Sequence, residues 1–136
     1  MKGAQAVAAA IYLARAGEPI AAIADYMRKA FYPLKRSLAE IQPTYQFDSS
    51  CQGTVPESIQ AFIESMSFEE AIRNAIWLGG DADTMGAITG SIAWAYYAKN
   101  GSVDEQMRTM AMATLSFLPD DLRGFVTSYE NRLAKR

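Results

Sequence analysis

The chain has 136 residues, half of them hydrophobic, with 15 acidic and 13 basic side chains. That is enough apolar material for one buried core, and a charge balance that speaks against nucleic acid or an anionic membrane surface as partner. It has no histidine and one cysteine, which excludes a histidine base, a Ser-His-Asp triad, a histidine-held metal, an internal disulfide and a cysteine-rich zinc site.

Apolar residues recur at helical spacing nearly throughout, and no strand-like alternation of any length occurs. The expected fold is all-α: one compact multi-helix domain over residues 1–136, with no linker. Residues 3–16 read as an alanine-rich helix with Val7, Ile11 and Leu13 available to pack, closed by Gly17. Glu18 and Pro19 open a second helix whose buried face is expected to hold Ile20, Ile23, Ala24, Met27 and Phe31, with Pro33 at its end. Residues 37–41 suggest one or two helical turns. Residues 43–54 read as the one long irregular stretch, followed by a helix opened by Val55-Pro56-Glu57 with Ile59, Phe62 and Ile63 inward. Ser67, with Glu70 as its capping-box partner, starts a helix carrying Ala71, Ile72, Ala75, Ile76 and Leu78, which Gly79-Gly80 breaks. A further apolar helix follows Asp81-Ala82-Asp83-Thr84 and reaches about Lys99. Its Gly86, Ala87, Gly90, Ala93 and Ala95 permit close helix contact. Two last helices, 103–117 and 120–134, are split by Pro119. No run of about twenty apolar residues occurs, so no membrane span is expected. One reduced cysteine and the lack of a secretory-leader layout give a cytoplasmic location as the expectation.

The stretch from Leu78 to Gly90 carries the most chemistry. Two glycines allow a sharp turn and close backbone approach to a ligand. Asp81, Asp83 and Thr84 then offer three hard oxygens, the donors that select magnesium, manganese or calcium over zinc or copper. The same residues ahead of an apolar helix also suit plain N-capping, and the residues themselves leave both readings open. Other candidates carry less. Cys51 has no histidine to activate it. Tyr45 and Phe47 suit packing of the irregular stretch onto the core, with stacking on a base as the alternative. Trp77 and Trp94 suit core or interface, and Arg28, Lys29, Lys35 and Arg36 a solvated basic face. Glu57, Glu69 and Glu70 suit helix first turns.

Gly79-Gly80-Asp81-Ala82-Asp83-Thr84, continuing through Met85-Gly86-Ala87-Ile88-Thr89-Gly90, resembles the C-terminal metal motif of the ADP-ribosylglycohydrolases. Lys2-Gly3-Ala4-Gln5-Ala6 resembles the start of a central helix of that family. Ser50-Cys51-Gln52-Gly53-Thr54-Val55-Pro56 resembles the loop lining its ADP-ribose site. The resemblance spans Lys2 to about Tyr97 and is to the C-terminal half only, since the Gly-Asp and Thr-Asp-Asp segments of the first half are missing. It implies an all-α fold and metal-assisted hydrolysis of ADP-ribosyl linkages on a protein side chain or small acceptor. Mg2+ (or Mn2+) would be held by Asp81, Asp83 and Thr84, and substrate would be contacted by Gln52, Gly53, Thr54, Val55 and Gly80. The catalytic carboxylate is not identified, and low activity of the chain alone is expected. The helices at 3–16 and 85–99 are expected to be left uncovered, which points to a homo-oligomer or a complex with a first-half chain. The alternatives are a non-catalytic ADP-ribose or nucleotide-binding module and a structural half-domain.

Overall fold

The alanine-rich start forms α1 (Lys2–Ala16), whose buried stripe is Gly3, Ala6, Ala10 and Ala14. The larger Val7, Ile11 and Leu13 only flank it, half-buried. Small residues at this spacing let a neighbouring helix come close: a Cβ on Gly3 would sit 3.1 Å from Cys51 Cβ and 3.2 Å from Val55 Cγ2. Gly17 ends α1 in the left-handed region, φ 90°. The structure is a computed structural model that describes residues 1–103 and 105–133. Among these residues it is all-α, with eight α-helices and no strand. They fall into two compact units, Met1–Val103 and Asp104–Arg136. No described helix is long and apolar enough to cross a membrane.

In the first unit, α2 (Ile20–Ala30) buries Ile23, Ala24 and Met27, with Ile20 and Phe31 half-buried. The short α3 (Leu38–Ile41) is tied at its start by Glu40, whose carboxylate accepts from the Ser37 amide and hydroxyl at 2.8 Å. A 3-10 turn, Gln42–Thr44, follows. Next, α4 (Cys51–Ile63) begins four residues before the Val55-Pro56-Glu57 signal. The Ser50 hydroxyl accepts from the Gly53 amide at 3.1 Å and sets the start. Pro56 therefore lies inside the helix, and having no amide hydrogen it leaves the Gln52 carbonyl without its usual i+4 donor.

Ser67 caps α5 (Phe68–Leu78) as expected, but the reciprocal bond of Glu70 goes to Met66 rather than to Ser67. The Glu70 amide donates to Ser67 Oγ at 3.1 Å, and Glu70 Oε2 accepts from the Met66 amide at 2.7 Å. Ala71, Ala75 and Leu78 are buried, but Ile76 and Trp77 are more than half exposed. Trp77 is thus not a core residue. Trp94 is half-buried, its ring 5.3 Å from that of Phe68.

The central element is α6 (Ala82–Tyr97), packed by α1, α4 and α5. Its face is therefore covered, contrary to the expectation for 85–99, and only positions such as Ala87 and Ser91 stay exposed. Gly90 serves close packing, since a Cβ there would lie 2.9 Å from Ile72 Cδ1, whereas Gly86 faces open space. Two buried polar groups of α6 are paired: Thr89 Oγ1 donates to the Ser58 carbonyl at 3.0 Å, and Tyr97 Oη to the Ser65 carbonyl at 2.7 Å.

The second unit holds α7 (Glu105–Thr114), a 3-10 turn at Leu115–Phe117, and α8 (Asp120–Leu133). No residue of α7 is buried. The expected helix end at Ala134 lies outside the described residues.

Candidate functional site

The double glycine makes the turn into α6. Gly79 has φ 79° and ψ −149°, a backbone conformation essentially confined to glycine. Gly80 has φ 69°, and a Cβ on it would fall 2.6 Å from Tyr45 Cε1. Gly79 is required by backbone shape alone; Gly80 by shape and by the ring against it. Asp81 is the N-cap of α6 but makes no side-chain capping bond. Its carboxyl neighbours both Asp83 and Thr84. The Asp83 side chain, followed by desolvation, raises Asp81 above the ordinary aspartate value, opposed by the Thr84 hydroxyl and amide. Asp83 is held below that value by the Asp81 side chain and by the Thr84 amide, which donates to Asp83 Oδ1 at 2.8 Å. None of the ion pairs among the described residues involves either aspartate.

Tyr45 joins this turn to the start of α4. Its hydroxyl donates to the Gly53 carbonyl at 2.7 Å and touches Met85 Sδ at 3.3 Å, and its ring packs on the core cluster of Leu38, Ile41, Leu78 and Met85. Burial raises its phenol pKa, and the negative charges of Glu57, Asp48 and Asp81 raise it further. Asp48 and Glu57 line the same cavity as the ring. Asp48 sits over the first turn of α4: it accepts from the Ser50 amide at 2.7 Å, and a Cβ on Gly53 would collide with Asp48 Oδ2 at 2.1 Å. The Ser50 amide and hydroxyl hold Asp48 below the ordinary value. Glu57, with Oε1 3.6 Å from Arg36 Nη2, is raised by burial, and its Oε2 is buried without a hydrogen-bond partner. A cavity of about 400 Å³ opens among Arg36, Tyr45, Phe47, Asp48, Gly53 and Glu57.

A family model described as ADP-ribosylglycohydrolase matches residues 1–127. The chain belongs to that family. The match runs well past Tyr97 and so takes in α7 and part of α8. No curated protein and no solved structure matches the chain.

In this member of the family the expected residues fall into two groups. Gly80, Asp81, Asp83 and Thr84 form one continuous turn, with Asp81 half-buried and Asp83 and Thr84 exposed. Gln52, Gly53, Thr54 and Val55 form the first turn of α4 rather than a loop. Gln52 is exposed, but Thr54 and Val55 are 2% and 3% exposed, so a ligand contact from those two has to come through the backbone. Thr54 Oγ1 is used up on the Ser50 carbonyl at 2.8 Å. The packing role of Tyr45 stands, whereas Phe47 is exposed and packs nothing onto the core.

Glu57 is not in a helix first turn, because α4 begins at Cys51; it lies in the second turn, half-buried. Arg36 pairs with it rather than standing solvated alone. Asp48, Glu57 and Arg36 are the site residues that the sequence pattern did not disclose, and Asp48-Ser49-Ser50 ahead of Gly53 was the signal available for the first.

The donor set on α6 fits a hard divalent cation in kind. Two neighbouring carboxylates and a hydroxyl, in a region already negative around Tyr45, are what such an ion neutralises. In number it is partial. Among the described residues no group of three or more Asp, Glu, Cys or His is placed to hold a metal, against the six or more oxygens that these ions take.

Proposed function

We propose that the chain supplies the metal-binding turn and part of the substrate wall for hydrolysis of the bond between ADP-ribose and a protein side chain or small acceptor. The reading is carried by one observation: within a domain of this family, a double glycine at positive φ sets Asp81, Asp83 and Thr84 together at the start of α6, and none of the ion pairs among the described residues involves either aspartate. Asp81, Asp83 and the Thr84 hydroxyl would hold Mg2+ or Mn2+. When bound, that ion supplies Lewis acidity that orients the ribose and the attacking water. The chain's own residues do the rest of the positioning. Gly80 lets backbone come close to the ligand without a side chain in the way. Tyr45 fixes the spacing between the turn and the Gln52-Gly53 end of α4 through its bond to Gly53. Gln52 and Gly53 would line the sugar.

Three oxygens from one chain leave ligand positions to water, substrate or another protein chain. Slow turnover by the chain alone, raised by a complementary chain bearing further carboxylates, is the corresponding expectation. The test is release of free ADP-ribose from an ADP-ribosylated protein in the presence of Mg2+, followed chromatographically. Release should fall at least about tenfold in Asp83→Ala, the usual size of effect when a positioning or charge-stabilising group is removed. Release equal in wild type, Asp81→Ala and Asp83→Ala would remove the turn from the reaction.

A further inference from the structure

The second unit carries an apolar face that nothing within that unit buries. Leu122, Phe125 and Tyr129 on α8 are 52%, 65% and 51% exposed, and Val126 beside them is half-buried. These positions repeat at helical spacing and make one stripe from Leu122 to Tyr129 within the 14-residue helix. A lone helix of this length is marginal in water and is normally stabilised by packing of its apolar face. The helix is also charge-asymmetric, with Asp120 and Asp121 in its first turn and Arg132 in its last. Asp120 already pairs with Arg123 along the helix, which leaves Asp121 and Arg132 as the outward charges at the two ends.

We propose that this face is an interface with a second copy of the chain, formed by antiparallel pairing of α8 with its own copy about a two-fold axis beside Val126. That register sets Leu122 opposite Tyr129 and Phe125 opposite Val126. It also brings Asp121 of one copy near Arg132 of the other, twice by symmetry. One axis therefore satisfies the apolar stripe and the end charges together, which is the self-complementarity that a two-fold contact demands. An unrelated partner would have no need of it. The face of one helix is small beside the roughly 1,200 Å² and more of a stable specific interface, so a weak dimer follows, with Kd in the range of about 1–100 μM. This inference does not rest on the hydrolase reading, because no residue of the α6 turn takes part.

The test is sedimentation equilibrium of the full chain from about 1 to 300 μM, a span set to bracket that range. Wild type should shift from monomer to dimer. Phe125→Glu should weaken association by more than about 100-fold, because two carboxylates would be buried together at the axis, with helical circular dichroism unchanged. Asp121→Arg and Arg132→Asp should each weaken it by about three- to tenfold, and the double charge exchange should restore it. That restoration cannot come from a variant that merely fails to fold. A wild type that stays monomeric at the highest concentration overturns the proposal, the face then being covered within the chain or by a different protein. A dimer indifferent to Phe125→Glu and to the charge reversals overturns it as well.

Discussion

Two helix starts lie side by side in the first unit and are built in opposite ways. At α4, the side chains ahead of the helix satisfy its backbone: Ser50 accepts from the Gly53 amide and Asp48 from the Ser50 amide. At α6, Asp81 has the N-cap position without making the capping bond, and the Thr84 amide donates to Asp83 instead. The first arrangement lowers the free energy of the fold. The second brings like charges together, which is unfavourable until a cation arrives. Tyr45 binds the two starts into one structure, its hydroxyl on Gly53 and its ring against Gly80. The difference teaches that the same residue types, Asp and Ser or Thr ahead of a helix, can serve stability or chemistry, and that hydrogen-bond bookkeeping tells which.

The sharpest way to break this comparison is at the glycine that both starts share through Tyr45. Gly80→Ala combines a left-handed backbone with a 2.6 Å collision with the ring. It should destabilise by about 2–4 kcal/mol in urea denaturation. A loss below about 0.5 kcal/mol, the scale of an ordinary surface change, would mean that the turn relaxes freely and is not held by Tyr45.

Exchanging the caps sharpens the comparison. Ser50→Ala should cost about 1 kcal/mol, the usual worth of an N-cap side chain. Asp81→Ala should leave the denaturation midpoint where it is or raise it, because no capping bond is lost and a like charge is removed. A larger loss from Asp81→Ala than from Ser50→Ala would show that Asp81 is an ordinary cap.

A smaller effect separates the carboxylates by pH. Asp48 is held low, so its contribution to stability is present above the ordinary aspartate value of 3.8 and fades as pH falls through its lower native value. Glu57 is held high by burial, so stability falls as pH rises from the ordinary 4.5 through its raised native value. Stability-against-pH curves should therefore show a smaller acid-side rise in Asp48→Asn and a smaller decline above pH 4.5 in Glu57→Gln. Identical curves for wild type and Glu57→Gln would mean that Glu57 is as well solvated folded as unfolded.

The helices were legible because apolar spacing survives in any packed bundle, and the turn into α6 because a double glycine breaks a helical pattern. Three features were not. Val55-Pro56-Glu57 imitates a helix start, but the Asp48–Ser50 cap upstream is stronger and carries the helix through the proline. Ile76 and Trp77 look like core by composition, yet α5 meets its neighbours through Ala71, Ala75 and Leu78, and which apolar face is buried is decided by partners. The roles of Tyr45, Glu57 and Arg36 depend on contacts between residues far apart in the chain, which local pattern does not encode.

The most direct measurement of the central claim is calorimetric titration of Mg2+ and of Mn2+ into wild type, Asp81→Ala, Asp83→Ala and Ser50→Ala. The account predicts weak binding in the wild type, because only three protein oxygens are supplied. It predicts the same binding in Ser50→Ala and none in either aspartate variant. Equal binding by all four proteins would place the ion elsewhere and leave the α6 turn a helix start like any other.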